Sequence, residues 1–242
     1  MSKPDSADNN LYAGYVEWKQ WDGIFRTTES QARYYATQLE GLSLRGKRVF
    51  EIGFGNGAFL AWARMQGALI SGNEINATLI GHGCEQGYDV STTTLDTLVA
   101  RGARYDLIIA FDVFEHWDTQ ELIDNIRHIA ALLADDGVLL ARFPNGHSPF
   151  GRVHQYGDFT HKSVLSKGKI HYLAQMSGLL VQAVGNACQV PSRPGWMSAL
   201  RYWWRAKRRR RIESLIGKLY GTGRLPLDPN LVAVLRKPVA NK

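Results

Sequence analysis

Two groups of residues in this chain have the types and spacings that chemistry needs. The first is a turn. Gly53, Gly55 and Gly57 follow the apolar run 49–52 at alternate positions, and the chain passes from them directly into an amphipathic segment. Glycines there allow positive φ and a bare backbone approach, so a flat polar ligand can lie against the turn and meet N–H groups at the start of the following helix. Glu51 stands two residues before the first glycine, where a pyrophosphate-binding turn would keep an apolar residue. A carboxylate suits a ligand that carries an ammonium or a sulfonium. Glu74 comes 21 residues after Gly53 and ends a second apolar run. An acid at such a strand tip accepts hydrogen bonds from both hydroxyls of a ribose, the alternative being a solvated loop carboxylate.

The second group lies in the polar stretch 147–163, which is too long and too rich in functional side chains for a simple connector. It holds His154, Asp158 and His161. Asp158 and His161 are three apart, so a helical turn begun at Phe159 lets the carboxylate orient the imidazole, with His161 as general base and His154 second. Two other readings stay open. The same side chains ligate divalent ions, and Asp158 can simply cap the turn through the N–H of Thr160 or His161.

The elements that must position these groups read as an alternation of strand and helix. Helices are expected over 58–66, 75–85, 119–133 and 169–177, and strands over 49–52, 68–74, 88–93, 105–114, 137–143, 179–190 and 230–237. The run 105–114 is continuously apolar, as a central parallel strand should be. It carries Asp112 and Val113 at its carboxyl end, where open α/β sheets hold their ligands, and His116 just beyond. Seven aromatics between Tyr12 and Tyr35 recur at loose helical intervals; Tyr12, Tyr15, Trp18 and Trp21 are candidates for a lid, against the plainer reading that they pack in the core.

Composition limits the alternatives. A chain of 242 residues supports one sizeable α/β domain with extensions, and 45% hydrophobic with 21% charged residues is ordinary for a globular protein. No apolar run approaches the roughly 20 residues of a membrane span. The polar N-terminus has no signal-peptide core, which leads us to expect a cytoplasmic protein. Cys84 and Cys188 lack zinc spacing and are expected as small buried hydrophobes. Much of the net charge of +7 sits between Arg201 and Arg211, interleaved with Trp196, Met197, Leu200, Trp203 and Trp204. That mixture fits a helix at an anionic membrane surface or on a lipid-linked substrate, which would place the protein at the inner face of the membrane; a solvated face and a nucleic-acid contact are the alternatives.

The segment EIGFGNG, with Glu74 and FDVFEH following in order, resembles the class I S-adenosylmethionine-dependent methyltransferases over about 45–190 plus the last strand. The resemblance implies a Rossmann-like three-layer α/β/α sandwich whose seven-stranded, mainly parallel sheet has its last strand antiparallel. It implies S-adenosyl-L-methionine as cofactor, held by Glu51, Gly53, Gly55, Gly57, Glu74, Asp112 and Val113. Thr94 and Leu95 are its adenine-side candidates, although the family often has an acid where this chain has Thr94. It divides the chain into a helical and aromatic segment (1–44), the core (45–190), a basic, hairpin-like aromatic insertion (191–229) and a last strand with tail (230–242). PNGHSP, GDFTH and the basic insertion are similar to methyltransferases of bacterial surface-polysaccharide pathways, which implies a sugar or glycan hydroxyl as acceptor. An NAD-dependent oxidoreductase is the rival enzyme, since Gly53, Gly55 and Ala58 also satisfy G-x-G-x-x-A, but Glu51 and FDVFEH count against it. FDVFEH likewise lacks the NPPY-like motif of amino-group methylation on nucleic acids, leaving RNA methylation as the alternative that the basic run would serve.

Overall fold

The computed structural model describes residues 23–190 and 195–239. Tyr12, Tyr15, Trp18 and Trp21, the expected lid residues, lie outside the described residues. Seven strands form one sheet: β1 (Arg48–Ile52), β2 (Leu69–Asn73), β3 (Asp89–Ser91), β4 (Tyr105–Phe111), β5 (Leu133–Pro144), β6 (Leu180–Asn186) and β7 (Asn230–Arg236). Their order is β3-β2-β1-β4-β5-β7-β6. β7 runs antiparallel between β5 and β6, while the pairs from β3 through to β5 are parallel. This is the expected fold class.

Alternation along the strands builds the layers. Phe50 and Ile52 of β1 and Ile108 and Ala110 of β4 share one face with Ile126, Ile129 and Leu132 of helix α5 (Thr119–Leu132) and with Ile170 and Leu173 of α7 (Lys167–Ser177). Val49, Leu107 and Ile109 take the other face, under Tyr35 of α1 (Glu29–Gln38) and Phe59 and Trp62 of α2 (Ala58–Met65). Each fully buried Leu or Ile contributes about 1.5–3 kcal/mol. Side-chain caps fix where helices begin: Thr28 with Gln31 for α1 and Asp118 with Glu121 for α5 form reciprocal capping boxes. Among the described residues, helices α3 (Ala77–Glu85), α4 (Leu95–Ala100) and the short α6 (Arg152–Tyr156) lie between these elements.

Two expectations are corrected. The insertion is a single helix, α8 (Trp196–Leu219), with a returning segment rather than a two-armed hairpin. Its C-terminal half is tied down. Glu213 is buried and accepts from Asn186 Nδ2 at 2.6 Å and Leu227 N at 3.0 Å, and Arg209 Nη1 donates to both oxygens of Asp228 at 2.6 and 2.8 Å. Gly217 lies so close to the carbonyl of Gly223 that a Cβ would overlap it. The cysteines are the second correction: Cys84 is exposed on α3 and Cys188 is half-buried, its thiol pushed up to about 11 by burial. No described helix is long and apolar enough to cross a membrane.

Candidate active site

Because β1 to β5 run parallel, their carboxyl ends share one edge, and the glycine turn, Glu74, Asp112 and the segment after β5 all open there. Gly53, Gly55 and Gly57 have φ of 61°, 53° and 70°. Two of them are also packed. A Cβ on Gly53 would lie 2.9 Å from Val113 Cγ2, and one on Gly57 only 2.4 Å from the ring of Phe25. The turn is held by its neighbours: Gly53 N donates to Asn73 Oδ1 at 3.3 Å, and Phe25 N to the carbonyl of Asn56 at 2.6 Å.

Two acids flank this turn. Glu51 is buried beneath it, its carboxylate taking the N–H of Leu60 in the first turn of α2, while among the described residues Oε2 has no hydrogen-bond partner. Burial, and then the negative charge of Glu74, holds its pKa well above the ordinary 4.5. Glu74 accepts from Gly55 N at 3.0 Å through Oε2 and from Ile75 N at 2.7 Å through Oε1, so it bridges the tip of β2 to the glycine turn. This pair of acids, which Arg142 offsets only in part at Glu51, makes a setting that favours a positively charged ligand. It disfavours a pyrophosphate.

Asp112 directly follows β4 with φ of 56°, an uncommon value for a residue with a side chain. A two-pronged ion pair with Arg142 of β5 holds it there, one arm at 3.0 Å and the other from Nη2 to Oδ2. Arg142 also lies over the rings of Tyr34 and Phe111. Burial alone would lower the pKa of Arg142, but Asp112 overrides it and the net shift is upward. The sequence reading missed Arg142 and Tyr34. The available signal was a cation inside the apolar strand 137–143, which must find a partner.

Thr94 is the exposed N-cap of α4, its hydroxyl 2.9 Å from that of Thr97. Leu95 is buried in the core, leaving its backbone N–H as what it can offer a ligand.

On the other side of the edge, the segment after β5 makes a polar cleft of about 410 Å³ lined by Asn145, His147, Ser148, Arg152, Gln155 and Tyr156, among others. Its inner wall is stitched to the return from α8. Asn145 Nδ2 donates to the carbonyls of Pro226 and Asp228, both at 3.0 Å, and Ser148 Oγ to that of Leu227 at 2.6 Å. Beside it, His161 and His116 meet edge to face with centroids 4.7 Å apart. His161 Nδ1 donates to the carbonyl of Gln155 at 3.1 Å. Asp158 Oδ1 accepts from Thr160 N at 3.0 Å and from the Thr160 hydroxyl at 2.5 Å, while Oδ2 lies 3.9 Å from His161 Nε2.

Asp158 therefore caps its turn and also faces His161, but not at hydrogen-bonding distance. His154 does not join them as expected. It is exposed on α6, next to the buried Gln155 whose carbonyl His161 uses, because successive residues of a helix point in different directions. The imidazole brought to His161 is instead that of His116. The pair can take a proton or hold a cation.

Comparison with known proteins agrees with this geometry. A family model described as a methyltransferase domain matches residues 27–201. The magnesium-protoporphyrin O-methyltransferase of Synechocystis is 30% identical over 108 residues, 42% of this chain and 46% of that protein, so the chain spans about half of that relative. Among solved structures, a SAM-dependent methyltransferase from Archaeoglobus fulgidus has a TM-score of 0.64 at 17% identity, covering 93% of this chain and 100% of that one. Magnesium protoporphyrin IX methyltransferase from Synechocystis with bound SAM has a TM-score of 0.58 at 16% identity, covering 98% and 99%. At these identities the two structures share the fold.

Proposed function

The chain belongs to the methyltransferase-domain family, and from that premise we propose that it is an S-adenosylmethionine-dependent O-methyltransferase acting on a sugar hydroxyl of a glycan or lipid-linked saccharide. The observation that carries the cofactor half is the pair of acids around the glycine turn. S-Adenosylmethionine is cationic at its sulfonium and its ammonium. On this reading Glu51 Oε2, which has no hydrogen-bond partner among the described residues, takes the positive end and Glu74 the ribose, with Asp112 and Val113 assigned to the methionine side and the α4 N-terminus at Thr94 and Leu95 to the adenine.

The acceptor half rests on the cleft after β5. Its lining mixes polar side chains with Pro149 and Val164, and Tyr156 is an exposed ring with Arg152 beside it, a surface suited to a ligand with hydroxyls and apolar faces. His161 and Asp158 sit at its edge through Gln155, and the acceptor hydroxyl is activated at His161 Nε2. The exposed Trp196, Met197, Leu200, Trp203 and Trp204, with Lys207 4.9 Å from the centre of the Trp203 ring and Arg201 and Arg205 beside them, suit an anionic surface that presents a lipid-linked acceptor.

The experiment is transfer of a labelled methyl group to three pools: glycan extracts, lipid-linked intermediates and total RNA. Label in either saccharide pool is expected. Label confined to RNA would replace the sugar with a nucleic acid and give the basic helix a different partner.

A further inference from the structure

We infer that Glu115, His116 and His161 form a binding site for one divalent cation of the zinc or manganese class. Each offers a ligand atom, and the three atoms lie within 4.8 Å of one another. Donors about 2.0–2.2 Å from a shared ion stand no more than about 4.4 Å apart. Small rotations of the side chains close the set.

The protonation pattern argues for an ion more strongly than the spacing does. Thr160 has one hydroxyl proton, and at 2.5 Å it goes to Asp158 Oδ1. The contact of 2.9 Å between Thr160 Oγ1 and His116 Nδ1 is then one in which the imidazole donates. His161 Nδ1 donates to the backbone carbonyl of Gln155, which can only accept. Both rings thereby carry a proton on Nδ1, which in the neutral imidazole leaves the Nε2 lone pair to a metal ion. Metal-binding histidines are oriented in this way, one nitrogen donating to a carbonyl or hydroxyl oxygen and the other turned to the ion. Asp158 works through Thr160 as a positioning residue for His116.

Position and charge fit as well. Glu115 follows β4 and is 1% exposed, and its backbone carbonyl accepts from the N–H groups of Lys162 and Ser163, which locks the two chain segments together. Two neutral imidazoles, one glutamate and the adjacent Asp158 bring two negative charges to one divalent ion. The two imidazoles favour zinc over calcium or magnesium, and the carboxylate keeps manganese as the harder alternative. Three protein ligands leave a further coordination position for an acceptor oxygen, at a site that His161 joins to the cleft-lining Gln155.

This inference rests on the reading of the chain as an O-methyltransferase and specifies how His161 activates the acceptor. A hydroxyl bound to the ion is acidified and loses its proton to water. Its oxygen then forms a bond to the methyl carbon as the carbon–sulfur bond breaks, and that electron pair stays on sulfur, leaving the neutral thioether.

The test is calorimetric titration of the chelator-treated full chain with Zn²⁺ or Mn²⁺ alone, repeated on Glu115→Gln and His161→Ala, with cobalt absorption as a second readout. About one ion per chain is expected, lost or weakened at least tenfold in both variants, while each still binds S-adenosylmethionine as the parent does, which verifies its fold. No ion bound, or unchanged binding in variants that keep the cofactor, overturns the site. Methyl transfer that continues in chelator would sink the metal while leaving the methyltransferase intact. An ion that binds to a chain with no transfer activity would do the reverse.

Discussion

The two halves of the sheet's carboxyl edge are built differently. Around β1 and β2, polar contacts join residues that the chain brings together within about one strand–helix–strand unit: Gly53 to Asn73, Gly55 to Glu74, Asn73 Nδ2 to the carbonyl of Thr93. Around β4 and β5, contacts cross the whole sequence: Asn145 to Pro226, Ser148 to Leu227, His116 to Thr160. The cofactor side is largely a local motif, completed by Phe25 packed against Gly57 and Val113 against Gly53. The acceptor side is assembled from the segment after β5, the end of β4 and the return from α8. Binding of cofactor and processing of acceptor should therefore separate under mutation.

The largest separation is expected from a crossed pair. His161→Ala should lower turnover by 10²-fold or more, as loss of a group activating the hydroxyl does, with cofactor affinity unchanged by calorimetry. Glu74→Ala should do the opposite, weakening the cofactor through loss of the ribose contact and of the Gly55 bridge. Coupled losses in both variants would mean that the halves are one unit.

A smaller effect sharpens the same contrast. Asn145→Ala strips the carbonyls of Pro226 and Asp228 of their donor, at a cost of about 1–3 kcal/mol. It should lower the denaturation midpoint and raise the acceptor KM while the cofactor Kd stays put. An unchanged acceptor KM would show that the bolt between α8 and the cleft carries no load.

The contrast also explains what could be read from the chain. The buried run of β4, the glycines at alternate positions and Glu74 at the next strand tip announce themselves because periodicity and turn chemistry are local. The ligand-facing turn followed from them, whereas the fold class and the antiparallel β7 came with the family resemblance that these residues carry. The partner of His161 did not. His154 is seven residues away and His116 forty-five, and the carbonyl of Glu115, gripping the N–H groups of Lys162 and Ser163, together with the contact of His116 Nδ1 with the Thr160 hydroxyl, brings the distant one close. Likewise nothing local distinguishes the C-terminal half of α8 as anchored, since Glu213 and Arg209 become structural through Asn186 and Asp228.

The most direct test of the central claim is calorimetric titration of S-adenosylmethionine and of NAD into the protein and into Glu51→Gln over a series of pH values. Burial holds the proton on Glu51 well above the ordinary 4.5. A cationic ligand favours the carboxylate, so binding releases a proton, and affinity should climb as pH rises from 4.5 toward the raised value and then level off. Folding stability carries the opposite sign: the part associated with protonated Glu51 is full below 4.5 and is lost as pH rises through the folded value. The account predicts about micromolar S-adenosylmethionine binding with this pH dependence, flattened in Glu51→Gln, and weaker NAD throughout. Tighter binding of NAD, or S-adenosylmethionine binding that ignores both pH and Glu51, would contradict it.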